Sequence, residues 1–342
     1  MLKSAFLGCG GRSRGHYHAY KHVKNGELLA VCDINEELLN TRGEEYGIPE
    51  EKRYTDIHEM LDKEKPDVLH IVTAPIWRVE LMTIAAEHEV PVAIVEKPIV
   101  LQGEDWKQIR DLNKKCKTKF VVNTQLHFHP DNMMLKKDVA DGRIGDVRFI
   151  EASARSTVCD QGVHVLELAQ SYNGFASPTR VFGNVADPGP IDSRQPSPAT
   201  ACGAIEFENG VRVQLLCGSI APETIEGGGT CSHKRVAVYG TKGFIQWTMH
   251  WWERSTPETG YEKGEHSYGQ QDVLAQAALT DAAFDWVVDD SKPHPTRLDR
   301  ALVKFNVLLG IYVSTLTHKP IDLPFEPPDG MMDDLKERLT SV

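Results

Sequence analysis

The chain has 342 residues, of which 41% are hydrophobic and 25% charged. That length calls for two domains with their own apolar interiors, and that composition excludes disordered and fibrous classes. With 49 acidic against 38 basic side chains the net charge is −11, so no basic surplus exists to neutralise phosphates, and nucleic acid is excluded as a partner.

Seven cysteines, an odd number without C-x-x-C spacing, speak against a disulfide framework or zinc site and for a reducing compartment. The opening run Met1-Leu-Lys-Ser-Ala-Phe-Leu-Gly8 is too short and apolar-poor for a signal peptide. No stretch reaches the roughly 20 apolar residues of a membrane span. A cytoplasmic protein is expected.

Residues 1 to about 120 alternate short apolar runs with helix-period segments, the pattern of β-α-β units on a parallel sheet. Strands are expected at Lys3 to Leu7, Glu27 to Asp33, Asp67 to Thr73, Val90 to Glu96 and Lys119 to Asn123, with helices such as Ile34 to Tyr46 and Arg78 to Glu89. The first strand runs into Gly8-Cys-Gly10-Gly11-Arg12-Ser13. Glycines there allow a tight turn and close backbone approach to a pyrophosphate at a helix N-terminus, with Ser13 in the place of the third glycine. A glycine-rich turn alone is weak evidence. The second strand, however, ends at Asp33, where a carboxylate meets the ribose hydroxyls, and Ile34 supplies no cation for a 2′-phosphate. NAD is therefore expected over NADP, although Arg12 or Arg14 could reach a phosphate.

Val90-Pro-Val-Ala-Ile-Val-Glu96-Lys97-Pro98 reads as a buried strand. Pro98 biases Lys97 to an extended conformation at the carboxyl edge of the sheet, where ligands bind in open α/β folds. Gln125-Leu-His-Phe-His-Pro130 alternates His127 and His129, as if on one face of a strand. No third ligand stands nearby in sequence, so no metal is expected.

Beyond Pro130 a helix over Met133 to Val139 precedes strands at Asp146 to Arg155, Thr179 to Val185, Ala199 to Glu208, Val211 to Ile220, Lys234 to Tyr239 and Phe244 to Thr248. Their short connections predict an antiparallel sheet. Within this half, Asp160-Gln-Gly-Val-His164-Val-Leu-Glu167 opens a helix to about Tyr172, and a spacing of four puts Asp160 and His164 on one face. Asp160 could equally be a helix cap, and Glu167 could orient the imidazole or lie in solvent. The tryptophans of Gln246-Trp-Thr-Met-His-Trp-Trp252 suit a sugar platform, a core or a subunit interface. Helices near Val273 to Val288 and Leu298 to Ser314 precede a Pro-rich tail from Pro320.

Taken together, Gly8 to Ser13, Glu96-Lys97-Pro98, Asp160-x-Gly162-x-His164 and Gly240-Thr-Lys-Gly243 make a chain that resembles the Gfo/Idh/MocA family. The resemblance implies an α/β fold: a Rossmann domain over residues 1–122 and, over 123–342, an α+β domain with an open antiparallel sheet whose free face makes homodimers or homotetramers. It implies Lys97, Asp160 and His164 as the catalytic set, and Thr73, Ala74, Pro75, Trp77, Glu96, Lys97 and Gln125 as cofactor neighbours beside Gly8, Gly10, Gly11, Arg12, Ser13 and Asp33. Departures from the family pattern stand at Arg78, His127, Glu167 and the Ala154–Cys159 segment.

The expected activity is NAD-dependent hydride transfer at a secondary alcohol of a sugar, polyol or glycoside. His164 would serve as base, Lys97 would stabilise the alkoxide-like charge, and Asp160 would position the groups. The alternatives are glycoside cleavage or elimination through a transient keto sugar, and a non-catalytic NAD or metabolite sensor.

Overall fold

A computed structural model of the chain describes residues 1–341. Two compact units divide it, and they are not contiguous in sequence. The first gathers Met1–Ile99, Gln108–Phe128 and Asp272–Asp299; the second gathers Val100–Lys107, His129–Gln271 and the chain from Arg300 onward.

In the first unit, β1 (Leu2–Leu7), α1 (Gly11–Ala19), β2 (Gly26–Cys32), α2 (Glu36–Glu45), β3 (Arg53–Tyr54), α3 (Ile57–Glu64), β4 (Val68–Ile71), α4 (Arg78–Glu87) and β5 (Val92–Glu96) alternate. After α5 (Gly103–Lys115) comes β6 (Lys119–Asn123). The six strands form one sheet in the order β3-β2-β1-β4-β5-β6, every pair parallel. Every residue of β4 and β5 is buried, as a parallel strand covered on both faces requires. Side-chain caps fix two helix starts: Asn35 accepts from the Leu38 N–H, and Asp56 from the N–H groups of His58 and Glu59. Each satisfies a donor that a first helical turn leaves open. The strand order reverses between β1 and β4, and ligands of open α/β sheets bind outside the carboxyl ends at such a point.

The second unit carries α6 (Pro130–Ala140), β7 (Val147–Ala154), α7 (Val163–Tyr172), β8 (Pro178–Ala186), β9 (Thr200–Phe207), β10 (Arg212–Cys217), β11 (Lys234–Gly240), β12 (Phe244–Thr248), β13 (Trp251–Thr256) and β14 (Gly260–Glu265). Beyond them run α8 (Tyr268–Val288), most of which joins the first unit, then α9 (Leu298–Thr317), β15 (Ile321–Asp322) and α10 (Met331–Thr340). Nine strands line up as β14-β13-β12-β11-β7-β10-β9-β8-β15. This corrects the purely antiparallel expectation: β7 and β10 pair parallel, with Val213 opposite Ile150, while the other pairs are antiparallel. The short connections were read correctly, but β7 and β10 are not consecutive. Helix α7 and the β8–β9 hairpin intervene and carry the chain back in the same direction.

Helix α9 lies close on this sheet. A Cβ on Gly183 or Gly203 would stand 2.9 or 2.8 Å from Ile311. Along β8, Val181, Gly183 and Val185 are buried while Phe182 and Asn184 are exposed, so the other face is open. The β13–β14 hairpin and α10 depart from the sequence reading, which gave neither. Among the described residues no helix is long and apolar enough to cross a membrane.

Candidate functional site

In the first unit, the β1–α1 turn is shaped by Gly8, whose φ is +101° and whose place would bring a Cβ within 2.5 Å of the Val72 carbonyl oxygen. Only glycine fits both demands. Around Gly10 and Gly11 nothing lies within 4 Å of where a Cβ would stand, which leaves their backbone open at the N-terminus of α1 to a diphosphate. Ser13, in place of a third glycine, is buried, and its Oγ meets the Gly10 carbonyl at 2.7 Å and the Tyr46 hydroxyl at 2.7 Å. The substitution thus links the turn to the end of α2.

Asp33 directly follows β2, with both carboxylate oxygens engaged by backbone. The Cys9 N–H donates to Oδ2 at 2.7 Å and the Asn35 N–H to Oδ1 at 2.9 Å. These bonds aim the carboxylate along the rim of a cavity of about 400 Å³ lined by Gly8, Asp33, Asp56, Thr73, Trp77 and Glu80 among others. Three of those six are acidic, and the lining includes no lysine or arginine. Such a lining offers acceptors to hydroxyl groups and would repel a phosphate. Asp56 and Glu80 escaped the sequence reading because each belongs to an element that only the sheet order brings to Asp33. Arg12 and Arg14 are already engaged: Arg14 Nε donates to Glu45 at 2.8 Å, and Arg12 Nε to Glu96 at 2.7 Å.

Glu96 anchors a buried polar network. Its Oε1 accepts from Arg12, from Asn123 Nδ2 at 2.7 Å and from His16 at 2.8 Å. Burial alone would raise this carboxyl, but Arg12 and His16 outweigh it and hold it well below the usual carboxylate range. His16 counts as an ion-pair partner by distance, yet burial lowers its own pKa despite Glu96, so the bond is one from a neutral imidazole. His16 meets His70 at 3.0 Å, and His70 meets the Tyr20 hydroxyl at 2.9 Å. Arg78 is fully buried rather than a pocket-lining side chain. Its Nε donates to the Glu96 carbonyl at 2.8 Å, and its other nitrogens to the Thr73 hydroxyl and carbonyl, with burial pulling its pKa to about 10. It clamps the backbone at the carboxyl ends of β4 and β5, immediately before Lys97. Gln125 is buried too, its amide donating to Asp272 at 2.9 Å. The segment Gln125–Phe128 is a 3₁₀ turn, which corrects the strand expected for His127 and His129.

In the second unit, Asp160 does not open an α-helix. Val158–Gly162 form a π turn capped by Thr157, whose side chain accepts from the Asp160 N–H, and α7 begins at Val163. Such turns recur at functional sites because they re-aim a side chain. Asp160 is not the cap; its carboxylate accepts from the Ser156 hydroxyl at 2.7 Å and from Gln161 Nε2 at 3.1 Å. Gln161 in turn accepts from the Lys234 ammonium at 2.8 Å. His164 is buried on the first turn of α7. Glu167 is also buried, so the solvent alternative is excluded, and its charge acts on the buried Lys304 and the half-buried Lys136, whose pKa values desolvation pulls to about 8. Trp247 is wholly buried, a core residue, whereas Trp251 and Trp252 are half-buried on β13. Gln161 and Lys234 carry no motif, and Lys234 reaches this turn across 73 residues.

A family model described as the oxidoreductase family with NAD-binding Rossmann fold, Gfo/Idh/MocA, matches residues 2–124. The D-apiose dehydrogenase of Paraburkholderia graminis is 29% identical over 186 residues, 49% of this chain and 49% of that protein. A glycosyl hydrolase family 109 protein of Shewanella pealeana is 24% identical over 159 residues, 44% of this chain and 35% of that protein. The chain spans about half the length of the first curated relatives it matches. Likeness of fold reaches further: the crystal structure of an oxidoreductase from Agrobacterium radiobacter aligns with a TM-score of 0.80 at 21% identity, covering 94% of this chain and 98% of that one.

Proposed function

We propose, from the match of residues 2–124 to the Gfo/Idh/MocA oxidoreductase family with its NAD-binding Rossmann fold, that the chain is an NAD(H)-dependent enzyme moving a hydride to or from a secondary alcohol of a sugar, polyol or glycoside. The observation that carries this reading is the Gly8 turn opening beside an acid-lined cavity that ends at Asp33. The solved relative from Agrobacterium radiobacter holds NAD+ and L-tartaric acid, and the Paraburkholderia relative is a sugar dehydrogenase.

The amides of Gly10, Gly11 and Arg12 would hold the diphosphate at the start of α1, Ser13 fixing the turn by its N–H to the Gly10 carbonyl, and Asp33 would accept from the ribose hydroxyls. Thr73, Ala74, Pro75, Trp77, Glu96 and Gln125 shape the rest of the cofactor edge. Bound NAD supplies a nicotinamide that accepts or returns a hydride. From the first unit, Lys97 gives an ammonium that stabilises charge growing on the substrate oxygen. From the second, His164 takes the hydroxyl proton, and Asp160, aimed by Ser156 and Gln161, positions the group that loses it.

The free sheet face carries Phe149 and Phe182 on one side of the strands, with the rings of Phe149, Tyr239 and Phe244 in a row. With Glu151, Glu206, Arg212 and Arg235 on the same face, this mixed aromatic and charged surface suits assembly into homodimers or homotetramers. An odd number of cysteines without C-x-x-C spacing suits a reducing, cytoplasmic location.

Likeness to a glycosyl hydrolase family 109 protein supports a second reading, in which transient oxidation of the sugar acidifies a neighbouring C–H so that the glycosidic group departs without net redox change.

The deciding experiment incubates purified protein and NAD+ with monosaccharides, polyols and glycosides, following NADH fluorescence and released sugar together. NADH formation that is lost in Lys97→Ala while NAD+ binding persists supports the dehydrogenase. Sugar release without NADH moves the assignment to the second reading, and full turnover in Lys97→Ala removes that residue from the mechanism.

A further inference from the structure

Three chemically matched donors converge in the second unit away from the residues assigned above. His129 stands just before α6, Asp131 on its first turn, and His266 in the two-residue link between β14 and α8. One donor atom from each lies within 4.8 Å of the others. A point within roughly 2.8 Å of all three therefore exists, so shifts of less than an ångström reach the about 2.0–2.2 Å of zinc–nitrogen and zinc–oxygen bonds.

An ordinary Asp–His pair accounts for only part of this. His266 Nδ1 does stand 2.8 Å from Asp131 Oδ2, but the His129 donor joins the same small space. The His266 side chain is 1% exposed, and its Nε2 makes no hydrogen bond among the described residues. A buried imidazole nitrogen so placed is costly unless something binds it. Around the three donors stands an apolar wall: Trp247 lies 5.2 Å from the His129 ring and stacks on His266 at 6.1 Å, and Tyr268 stacks on His129 at 6.3 Å. Such a shell excludes water and fixes ligand orientation. The Lys234 ammonium sits over the Tyr268 ring but is held by Gln161 and the Cys231 carbonyl.

We propose that His129, Asp131 and His266 bind one divalent cation of the zinc class. Two imidazoles and one carboxylate favour Zn²⁺, Co²⁺ or Ni²⁺ over Mg²⁺ or Ca²⁺, which prefer all-oxygen sites. The ion ties the start of α6 to the β14–α8 link. Lys234, which reaches Gln161 beside Asp160, packs against the same Tyr268, so the tie supports the wall next to the π turn. Sequence spacing hid the site, because His266 lies 135 residues beyond Asp131 and no local motif joins them.

Full-length protein dialysed against EDTA is titrated with ZnCl₂ in competition with a chromogenic chelator, and separately with CoCl₂ for visible d–d bands. The expected result is one equivalent bound with a Kd of about micromolar or tighter, a rise in Tm on binding, and at least a tenfold loss of affinity in the isosteric Asp131→Asn and in His266→Gln. His58→Gln, at the surface His58–His88 pair, leaves binding unchanged. No Zn²⁺ uptake by the wild-type protein overturns the proposal, as does an Asp131→Asn/His266→Gln double variant that binds the ion as the wild type does. The wild-type titration decides even where a variant fails to fold.

Discussion

At Gly8 two constraints coincide, and Gly11 separates them. An alanine at Gly8 would have to hold a φ of +101° with its methyl against the Val72 carbonyl, a strain of about 1–3 kcal/mol before any steric adjustment. Gly8→Ala is therefore expected to lower Tm and weaken NAD+ binding together. At Gly11, where the space is open, alanine should leave Tm unchanged and weaken only NAD+ binding, because the methyl meets the ligand and not the protein. Thermal melts and NAD+ fluorescence titrations of the two variants check the contrast.

The His16–His70 pair gives a second prediction. Burial lowers both pKa values, His70 well below the ordinary 6.5, with the neighbouring His16 adding to the effect. Below about pH 6.5 the unfolded chain takes up protons that these folded imidazoles refuse, so stability falls as pH falls. Glu96, held low, contributes stability that is present above 4.5 and is lost as pH drops through its folded value. Urea unfolding at pH 7.5, 6.5 and 5.5 should show the steepest loss in the last interval, and His70→Asn should flatten it.

Among elements, those that show their burial in a short window were readable from the chain. Strands β4 and β5 are continuously buried runs, apolar but for His70 and Glu96, and β8 alternates between core and solvent. The β13–β14 hairpin was not readable, since its residues are mostly half-buried or exposed and charged, as edge strands tend to be. The π turn was illegible for a different reason: Asp160 and His164 sit four apart whether the turn is α or π, and only the Thr157 cap decides between them.

Helix α8 shows a third case, where the helix was legible and its partner was not. Phe284 packs with Val68, Val92, Ile94 and Val121, and its ring lies where a Cβ on Gly26 would be, 2.1 Å away. Phe284→Ala should cost about 3–5 kcal/mol of stability in the first unit, measured by chemical denaturation. A smaller loss than about 1 kcal/mol would mean that α8 is peripheral to that core.

On the scale of the molecule, the α/β plan of a parallel sheet followed by a second, larger sheet was open to inspection. The turn at Gly8, the acid at Asp33 and the lysine before Pro98 are each close in sequence to the strand that presents them. What could not be seen was the assembly over long separations: Asp272 bonding Gln125, Gln276 bonding Asn123, Lys234 bonding Gln161, and the parallel pairing of β7 with β10. Each joins residues more than 50 positions apart, and no local pattern encodes which distant segment returns. A fragment of residues 1–128 tests the point. It contains all six strands of the first sheet but lacks Asp272–Asp299, and should expose Val68, Val92 and Ile94, bind the dye ANS and aggregate, where the complete chain stays dispersed.

The same late return has a bearing on biosynthesis. A ribosome adding about 5–20 residues per second takes roughly 10–35 s to travel from position 128 to position 299. Throughout that interval the nascent nucleotide-binding half lacks its closing helix and presents a bare aliphatic patch, which makes it a natural client for a chaperone until translation delivers the missing piece.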